Sequence, residues 1–217
     1  MSEYRGDADG NIFHKSAIIN PRAKIGKNNL FGPYCTVYHN VTIGNDNKFI
    51  SHVSVGTPGE HKKLEDFSMK LGKVVIGNHN TFREFITINK STKEESITLI
   101  EDDCYIMRGG HISHDTWVES GVIMSCDVIL GGHSRIMRGT YMGIKSCTHP
   151  FTIIGAFCIA GMGAVITKDF APGLKLVGIP ANERGTNVIG LERANLNPGE
   201  LDLEVQRFCE ALKRRDV

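Results

Sequence analysis

The sequence predicts an all-β fold, a parallel β-helix built from hexapeptide repeats and followed by a short α-helical tail. Two observations carry this prediction: a large apolar residue recurs at every sixth position, and glycine follows many of these residues. A period of six keeps side chains on one face of an extended chain, whereas it forms no stripe on a helix of about 3.6 residues per turn. The ladder consists of Ile19, Ile25, Phe31, Val37, Ile43, Phe49, Val55, Ile76, Phe82, Ile88, Ile100, Ile106, Ile112, Val118, Met124, Leu130, Ile136, Met142, Ile154 and Ile166, with Thr148 and Ala160 as exceptions.

A triangular coil explains both observations. Each hexapeptide forms one flat side, the chain then turns a corner, and three sides close a coil of about 18 residues. Stacked coils pair through main-chain hydrogen bonds at a spacing of about 4.8 Å. The ladder residues point inward and form the continuous core of a solenoid.

The repeat also predicts the order of the parts along the chain. Residues 1–14 are expected to form an N-terminal arm, and residues 15–170 the β-helix. The ladder breaks near 57–73 and 89–96, which we interpret as loops that project from the prism. Long loops in a compact solenoid often carry function, although a tolerated surface insertion would produce the same break.

The C-terminal part, 171–217, is expected to be an irregular segment followed by a helix. Asn197 is a suitable N-cap, with Pro198 and Glu200 at the first and third helical positions. One face of this helix would be apolar. Its stripe contains Leu201, Val205, Phe208 and Leu212.

Composition excludes several classes of function. The 217 residues carry 25 Lys and Arg against 24 Asp and Glu, and a net charge of +1 indicates neither a nucleic-acid partner nor a membrane surface. No apolar run approaches membrane-spanning length, and the polar start MSEYRGDADG predicts no signal peptide. The six cysteines are scattered and form no CxxC pair. We therefore expect a cytoplasmic protein without membrane insertion.

Three histidines suggest a functional corner. His114, His133 and His149 are separated by 19 and 16 residues, close to one coil, so their rings are expected to form a vertical strip about 5 Å apart. Structural histidines, a metal site like that of trimeric β-helix carbonic anhydrases, and general acid–base catalysis are the three interpretations. No cysteine or further histidine has clear ligand spacing, so we expect no metal.

Several motifs resemble one family, the UDP-N-acetylglucosamine O-acyltransferases of lipid A (lipopolysaccharide) synthesis. The similarity spans residues 14–194, and HISHD is its most specific motif. It implies a left-handed β-helix, a homotrimer with active sites between subunits, no bound cofactor, and acyl carrier protein as the donor. The motifs are SAIINPRAKIGKNNLFGPY (16–34), IGNHNTFREFITIN (76–89), HISHD (111–115), LGGH (130–133), and His149 followed by FTIIGA (151–156).

The resemblance also implies roles for the residues of the reaction itself. His114 would be the general base that takes a proton from a sugar hydroxyl, and Asp115 would orient it. The backbone N–H of Gly132 would stabilise the oxyanion formed at the thioester carbon.

The same resemblance implies residues that bind the substrates. His111, His133 and His149 would contact sugar, phosphate or phosphopantetheine, and Lys63 in the first projecting loop would contact the substrate. Near the tail, Asn187 and Arg193 would hold the nucleotide phosphates.

The chain departs from the family pattern mainly where nucleotide and sugar are recognised. Expected polar or charged positions are occupied by Asn89, Pro150, Ile189 and Ala194, and the projecting loop carries Glu60–His61. The base and oxyanion positions are intact. The resemblance therefore predicts an acyltransferase more strongly than it predicts UDP-N-acetylglucosamine as the acceptor.

The acyl group and its carrier stay open. Met162 occupies the position where long-chain members have glycine, which would shorten the acyl group, although a core methionine is the alternative. VGIPAN (177–182) resembles a segment of acetyl-coenzyme A enzymes, so the donor is acyl carrier protein or coenzyme A. N-acylation of a nucleotide-linked amino sugar for surface polysaccharide and a non-catalytic scaffold are the rival functions.

Overall fold

The computed structural model describes residues 3–60 and 72–215, and within them short strands stack into three sheets. Strands and helices are numbered in chain order. Sheet A contains β1 (Tyr4–Gly6), β2 (Ile12–His14), β5 (Leu30–Phe31), β8 (Lys48–Phe49), β11 (Thr81–Phe82), β14 (Tyr105–Ile106), β17 (Ile123–Met124), β20 (Tyr141–Met142), β23 (Ile159–Ala160), β25 (Leu174–Gly178) and β26 (Ala181–Thr186). Sheet B contains β3 (Ile18–Ile19), β6 (Thr36–Val37), β9 (Ser54–Thr57), β12 (Thr87–Asn89), β15 (His111–Ile112), β18 (Ile129–Leu130), β21 (Cys147–Thr148) and β24 (Val165–Ile166). Sheet C contains β4 (Lys24–Ile25), β7 (Val41–Ile43), β10 (Val74–Ile76), β13 (Thr98–Ile100), β16 (Trp117–Val118), β19 (Arg135–Ile136) and β22 (Ile153–Ile154).

The chain runs through sheets B, C and A in turn, and each strand pairs in parallel with the strand one coil later. His111 pairs with Ile129, and Trp117 with Arg135, which are steps of 18 residues. The three sheets form the triangular prism of a left-handed parallel β-helix, as predicted. A step of 18 residues explains why side chains that are distant in sequence meet at the same corner.

The interior confirms the ladder of apolar residues. From Phe31 to Ile166 its large members are buried, and Thr148 is buried with them. The composition predicts an aliphatic core, but the first coils also bury phenyl rings. Phe13, Phe31, Phe49 and Phe82 stack with their centroids 5.2, 4.9 and 4.8 Å apart. Aromatic rings at one ladder position can stack because parallel in-register strands place them one above another.

Some boundaries differ from those expected. β2 already pairs in parallel with β5, so the stack begins before residue 15. Thr57 and Asn89 end the strands β9 and β12, so the projecting segments begin after them. Part of the first segment, 61–71, lies outside the described residues.

The C-terminal segment is more regular than expected. β25 and β26 form an antiparallel hairpin that extends sheet A, with a cis peptide bond between Ile179 and Pro180 in its turn. Two helices follow, α1 (Val188–Arg193) and α2 (Pro198–Arg215). Neither of these described helices is long and apolar enough to cross a membrane.

The start of α2 confirms the predicted cap. The Glu200 N–H donates to Asn197 Oδ1 at 3.0 Å, and the Asn197 N–H donates to Glu200 Oε2 at 2.9 Å. This reciprocal pair is a capping box. The helix packs on the outside of the prism in an apolar cluster of Met137, Ile153, Ala156, Phe157, Phe208 and Ala211.

Candidate active site

The corner between sheets B and C, which we call the histidine corner, holds His114 beside Asp115. The His114 Nδ1–H donates to Asp115 Oδ2 at 3.0 Å. The side chains are 15% and 6% exposed, so the pair is largely shielded from water. A carboxylate only accepts hydrogen bonds. The neutral imidazole therefore carries its proton on Nδ1 and its lone pair on Nε2, which is the state a general base requires.

The second projecting segment fixes Asp115. Thr92 donates to Asp115 Oδ2 from its N–H at 3.0 Å and from its Oγ1 at 2.8 Å. Burial alone would raise the pKa of Asp115, but hydrogen bonds from His114, Ser96 and Thr92 outweigh it and hold the pKa well below the ordinary carboxyl value. Asp115 is thus a carboxylate at neutral pH and stabilises a protonated His114.

Two glycines pack against the two ends of the His114 side chain. A Cβ at Gly59 would lie 2.9 Å from the His114 Cβ and 3.1 Å from its Cδ2. A Cβ at Gly132, one coil later, would lie 2.7 Å from Cε1 and 2.9 Å from Nε2. Any larger residue would displace the ring at either position. The first projecting segment thus passes over the histidine, which favours the functional interpretation of that loop.

The backbone at Gly132 has a donor to offer. Its carbonyl accepts from the Phe151 N–H at 3.0 Å, while its own N–H makes no hydrogen bond to the described residues. An N–H close to the lone pair of a general base is suited to the oxyanion of an acyl-transfer intermediate.

His133 lies one coil above this pair. Its ring centroid is 5.2 Å from that of His114, and its Nε2 is 3.8 Å from Asp115 Oδ2. Burial lowers the pKa of His133, and His114 and Lys93 lower it further against the opposing effect of Asp115. His133 is therefore neutral at pH 7 and can donate to or accept from a ligand.

His111 faces outward on β15. Its Nδ1 is 2.7 Å from Thr87 Oγ1, and its Nε2 is 3.0 Å from Ser113 Oγ. Burial lowers the pKa of His111, and the neighbouring His114 lowers it as well, while Glu60 acts in the opposite direction. Thr87 also lines a cavity of about 410 Å³ on sheet B, formed with Tyr38, Thr57, Pro58, Gly59, Glu60 and Asn89. The projecting segment and the histidines therefore border one space.

The expected strip of three imidazoles is two imidazoles and a phenyl ring. The residue one coil after His133 is Phe151, whose ring stacks on His133 with centroids 4.5 Å apart. Both residues have a positive φ, 59° and 66°, at equivalent corner positions. His149 lies two residues before that position, is exposed, and donates from Nδ1 to the Pro150 carbonyl at 2.9 Å.

The other predicted site residues lie elsewhere on the chain. Lys63 is outside the described residues. Asn187 caps α1, since its Oδ1 accepts from the Gly190 N–H at 3.2 Å and its Nδ2 donates to the Phe157 carbonyl at 2.9 Å. Phe157 belongs to the corner between sheets C and A, and the exposed Arg193 ends α1. Within this chain, neither predicted phosphate contact is at the histidine corner.

Met162 is not a core residue. It lies at the corner between sheets A and B, and 77% of its surface is exposed. The alternative of an ordinary buried methionine is therefore wrong. An exposed thioether at a corner could line a groove only against another molecule or another copy of the chain.

A metal site is the other chemistry that these donors could support. Ligand atoms of His114, Asp115 and His133 lie within 4.8 Å of one another. However, Asp115 Oδ2 already accepts from Thr92 twice and from His114. A carboxylate oxygen with three protein donors is arranged for hydrogen bonding to an imidazole, which favours acid–base chemistry at this corner.

Sequence reasoning missed Gly59 and Thr92. Both lie in the projecting segments, where the six-residue period is lost, so their positions relative to the corner could not be derived from spacing. A glycine beside proline in TPGE indicates only a turn.

Known proteins share this arrangement of sheets and histidines. Residues 9–57 match the bacterial transferase hexapeptide (six repeats) family. An acyl-carrier-protein–UDP-N-acetylglucosamine O-acyltransferase of Paraburkholderia phytofirmans is 34% identical over 204 residues, which cover 85% of this chain and 77% of that enzyme. This chain belongs to the UDP-N-acetylglucosamine O-acyltransferase family. The family assignment agrees with the motifs around His114 and with the left-handed prism.

Other members of the UDP-N-acetylglucosamine O-acyltransferase family match along less of their length. The enzyme of that name from Burkholderia lata is 36% identical over 157 residues, 72% of this chain but 59% of the relative. The chain thus spans about three fifths of such relatives. The solved UDP-N-acetylglucosamine acyltransferase from Campylobacter jejuni has a TM-score of 0.73 at 27% identity, covering 90% of this chain and 82% of that one.

Proposed function

We propose that this protein is an acyltransferase that moves an acyl group from a thioester carrier to a hydroxyl of a nucleotide sugar such as UDP-N-acetylglucosamine. The observation that carries the proposal is the buried His114–Asp115 pair, whose Nε2 end faces the backbone of Gly132. Acyl carrier protein is the proposed donor because the relatives' names include it, and coenzyme A is the alternative carrier. The proposal includes no bound cofactor.

The reaction follows from the positions of these groups. His114 Nε2 accepts the hydroxyl proton as the sugar oxygen attacks the thioester carbon, so a C–O bond forms and the carbonyl electrons move to oxygen. The Gly132 N–H stabilises the resulting oxyanion, and Asp115 stabilises the imidazolium. When the carbonyl re-forms, the C–S bond breaks and the thiolate leaves with the proton from His114. Atoms and charge balance without another reactant.

Substrate binding is proposed to involve the other histidines and a neighbouring copy of the chain. His111, His133 and His149 all lie on or beside sheet B at successive coils, so each can reach a ligand that extends along the prism. In a homotrimer with sites between subunits, Lys63, Asn187 and Arg193 of one chain would serve the histidine corner of another. Met162 of that neighbour would limit acyl length. The cytoplasm, which the scattered cysteines favour, stays the predicted compartment.

The test is acyl transfer by the purified protein. Acyl carrier proteins charged with chains of different length are mixed with UDP-N-acetylglucosamine, and the product is followed by mass spectrometry. We expect an ester product, and a fall of about 100-fold to 10,000-fold with His114→Ala. His79→Asn, at an exposed corner, is the control and should keep the wild-type rate.

Each rival function gives a different result in the same assay. An amide formed on a nucleotide-linked amino sugar, with no ester product, would identify an N-acyltransferase. Absence of thioester turnover with every carrier and acceptor would favour a scaffold. Full activity of His114→Ala would contradict the assignment of the base.

A further inference from the structure

A groove separates the histidine corner from α2. It has a volume of about 340 Å³. His133, Phe151 and Asp115 border it on the corner side, Trp117 and Arg135 form part of its floor on sheet C, and Arg214 of α2 lies on the opposite wall. Its size is within the range of small-molecule sites. The groove opens directly beside the proposed reacting group, and nothing in the proposed mechanism uses it.

A buried cluster of charges fixes the wall that α2 contributes. The side chain of Glu204 is 1% exposed and accepts from Arg138 Nε at 2.6 Å. Arg207 donates to Glu204 at 2.9 Å and to Glu119 of the prism, which is fully buried, at 3.0 Å. Buried carboxylates are stable only when paired in this way. The helix therefore holds one position along sheet C, and the groove is a built feature of the fold.

The two cations of the groove differ in availability. The Arg135 guanidinium is engaged, since it binds Glu119 and lies 3.8 Å over the Trp117 ring. The Arg214 side chain is 80% exposed, and its contact with Glu210 is 3.9 Å long between two exposed groups. Such a pair contributes little, so Arg214 can bind another anion without a large loss. Asp115 is the carboxylate of the groove, and it belongs to the wall opposite Arg214.

The remaining surface of the groove suits the rest of a phosphorylated metabolite. Phe151 exposes 52% of its surface beside the neutral imidazole of His133. An aromatic face and a neutral donor or acceptor bind an uncharged portion, while a guanidinium binds phosphate oxygens in a bidentate manner. Both substrates of the proposed reaction carry phosphate, the acceptor as a diphosphate and the donor on its pantetheine arm.

We propose that this groove binds the phosphate-bearing part of one substrate, with Arg214 as the cation that receives it. The inference rests on the proposed function for the identity of the two candidate ligands. It adds a role for α2, because the helix would contribute directly to substrate affinity.

The experiment is calorimetric titration of the full chain. The probes are UDP and uridine for the acceptor, and 4′-phosphopantetheine and pantetheine for the donor. Arg214→Gln removes the proposed cation, and Lys213→Gln is the matched control, because it removes the same charge from the adjacent exposed residue, which does not border the groove. Thermal unfolding of each variant verifies that the fold is unchanged.

We expect Arg214→Gln to weaken one phosphate-bearing probe by about ten-fold, as for loss of a charge-assisted hydrogen bond. The uncharged counterpart of that probe and the Lys213→Gln variant should be unaffected. Loss of UDP affinity would identify the acceptor as the occupant, and loss of phosphopantetheine affinity the donor. Equal weakening by both variants, no weakening, or no binding of either phosphorylated probe to the wild type would overturn the proposal.

This result is separable from the proposed function. If binding depends on Arg214 but no acyl transfer occurs with any donor, the groove stands and the acyltransferase assignment fails. If transfer occurs and Arg214→Gln changes KM for neither substrate, the assignment stands and the groove proposal fails.

Discussion

Gly132 and His114 lie so close together that a methyl group on Gly132 would be 2.7 Å from the imidazole Cε1. Real carbon atoms do not approach so closely without movement of one partner. The two residues are 18 positions apart, so the contact exists only because adjacent coils stack in register.

Gly132→Ala should therefore displace the His114 ring. We expect kcat for acyl transfer to fall by at least about 100-fold, because both the base and the oxyanion donor move. Gly161→Ala is the matched control, since a Cβ there meets its nearest neighbour at an ordinary 3.4 Å. Steady-state kinetics on both variants, with thermal unfolding, make the comparison. Equal kcat values for Gly132→Ala and the wild type would show that the ring is not held by this contact.

Asp115→Asn should lower the free energy of unfolding by about 2 kcal/mol at pH 7, because a carboxylate that accepts several hydrogen bonds is lost. Since the folded-state pKa of Asp115 is lowered from 3.8, its stabilising effect is present above that pH and is lost as the pH falls below it. Asparagine tolerates the positive φ of 58° at this corner, so backbone strain does not confuse the result.

Denaturant unfolding of wild type and Asp115→Asn from pH 7 to pH 3 measures this difference. The two curves should converge toward low pH. A gap that stays constant or widens on acidification would contradict the assignment of a low pKa.

Glu204→Gln should loosen α2. Removing the buried charge leaves Arg138 and Arg207 without their shared partner, and we expect a loss of about 2 kcal/mol, less than for a fully buried pair because both guanidiniums reach solvent. Amide hydrogen exchange along α2 should accelerate. Glu210→Gln, on the exposed face of the same helix, should change stability by less than about 0.5 kcal/mol. Similar effects for the two variants would mean that the buried cluster does not fix the helix.

Met162→Gly should shift the preferred donor toward longer acyl chains, because it removes an exposed thioether that would occupy the proposed groove between copies of the chain. Competition between acyl carrier proteins of two chain lengths in one reaction gives the ratio directly. Met162→Leu keeps the bulk and should keep the wild-type ratio. An unchanged ratio for Met162→Gly would remove Met162 from the control of chain length.

Much of the fold follows from the period of six. Strict recurrence from Phe31 to Ile166 predicts the inward face, the three sides and the coil of 18 residues, and all three are present. The same arithmetic brings His133 near His114. It also shows why the third histidine was misplaced, because a step of 18 from His133 leads to Phe151, while His149 is two positions short and lies on the preceding part of the corner.

The parts that the period does not govern were not predictable in this way. Thr92 and Gly59 reach the corner through segments of irregular length. Arg207 and Glu119 are 88 positions apart, and their contact depends on where α2 docks. Neither hydrophobic patterning nor a capping rule specifies the docking position of a helix on a flat sheet, so the groove beside the corner becomes visible only in three dimensions.

The reacting group draws on four consecutive levels of the stack, through Gly59, Thr92, His114 and Gly132. A slip of one level anywhere between residues 59 and 132 would dismantle it while leaving the apolar interior almost as well filled as before. Acyl transfer would then report misthreaded chains that calorimetry and circular dichroism count as native.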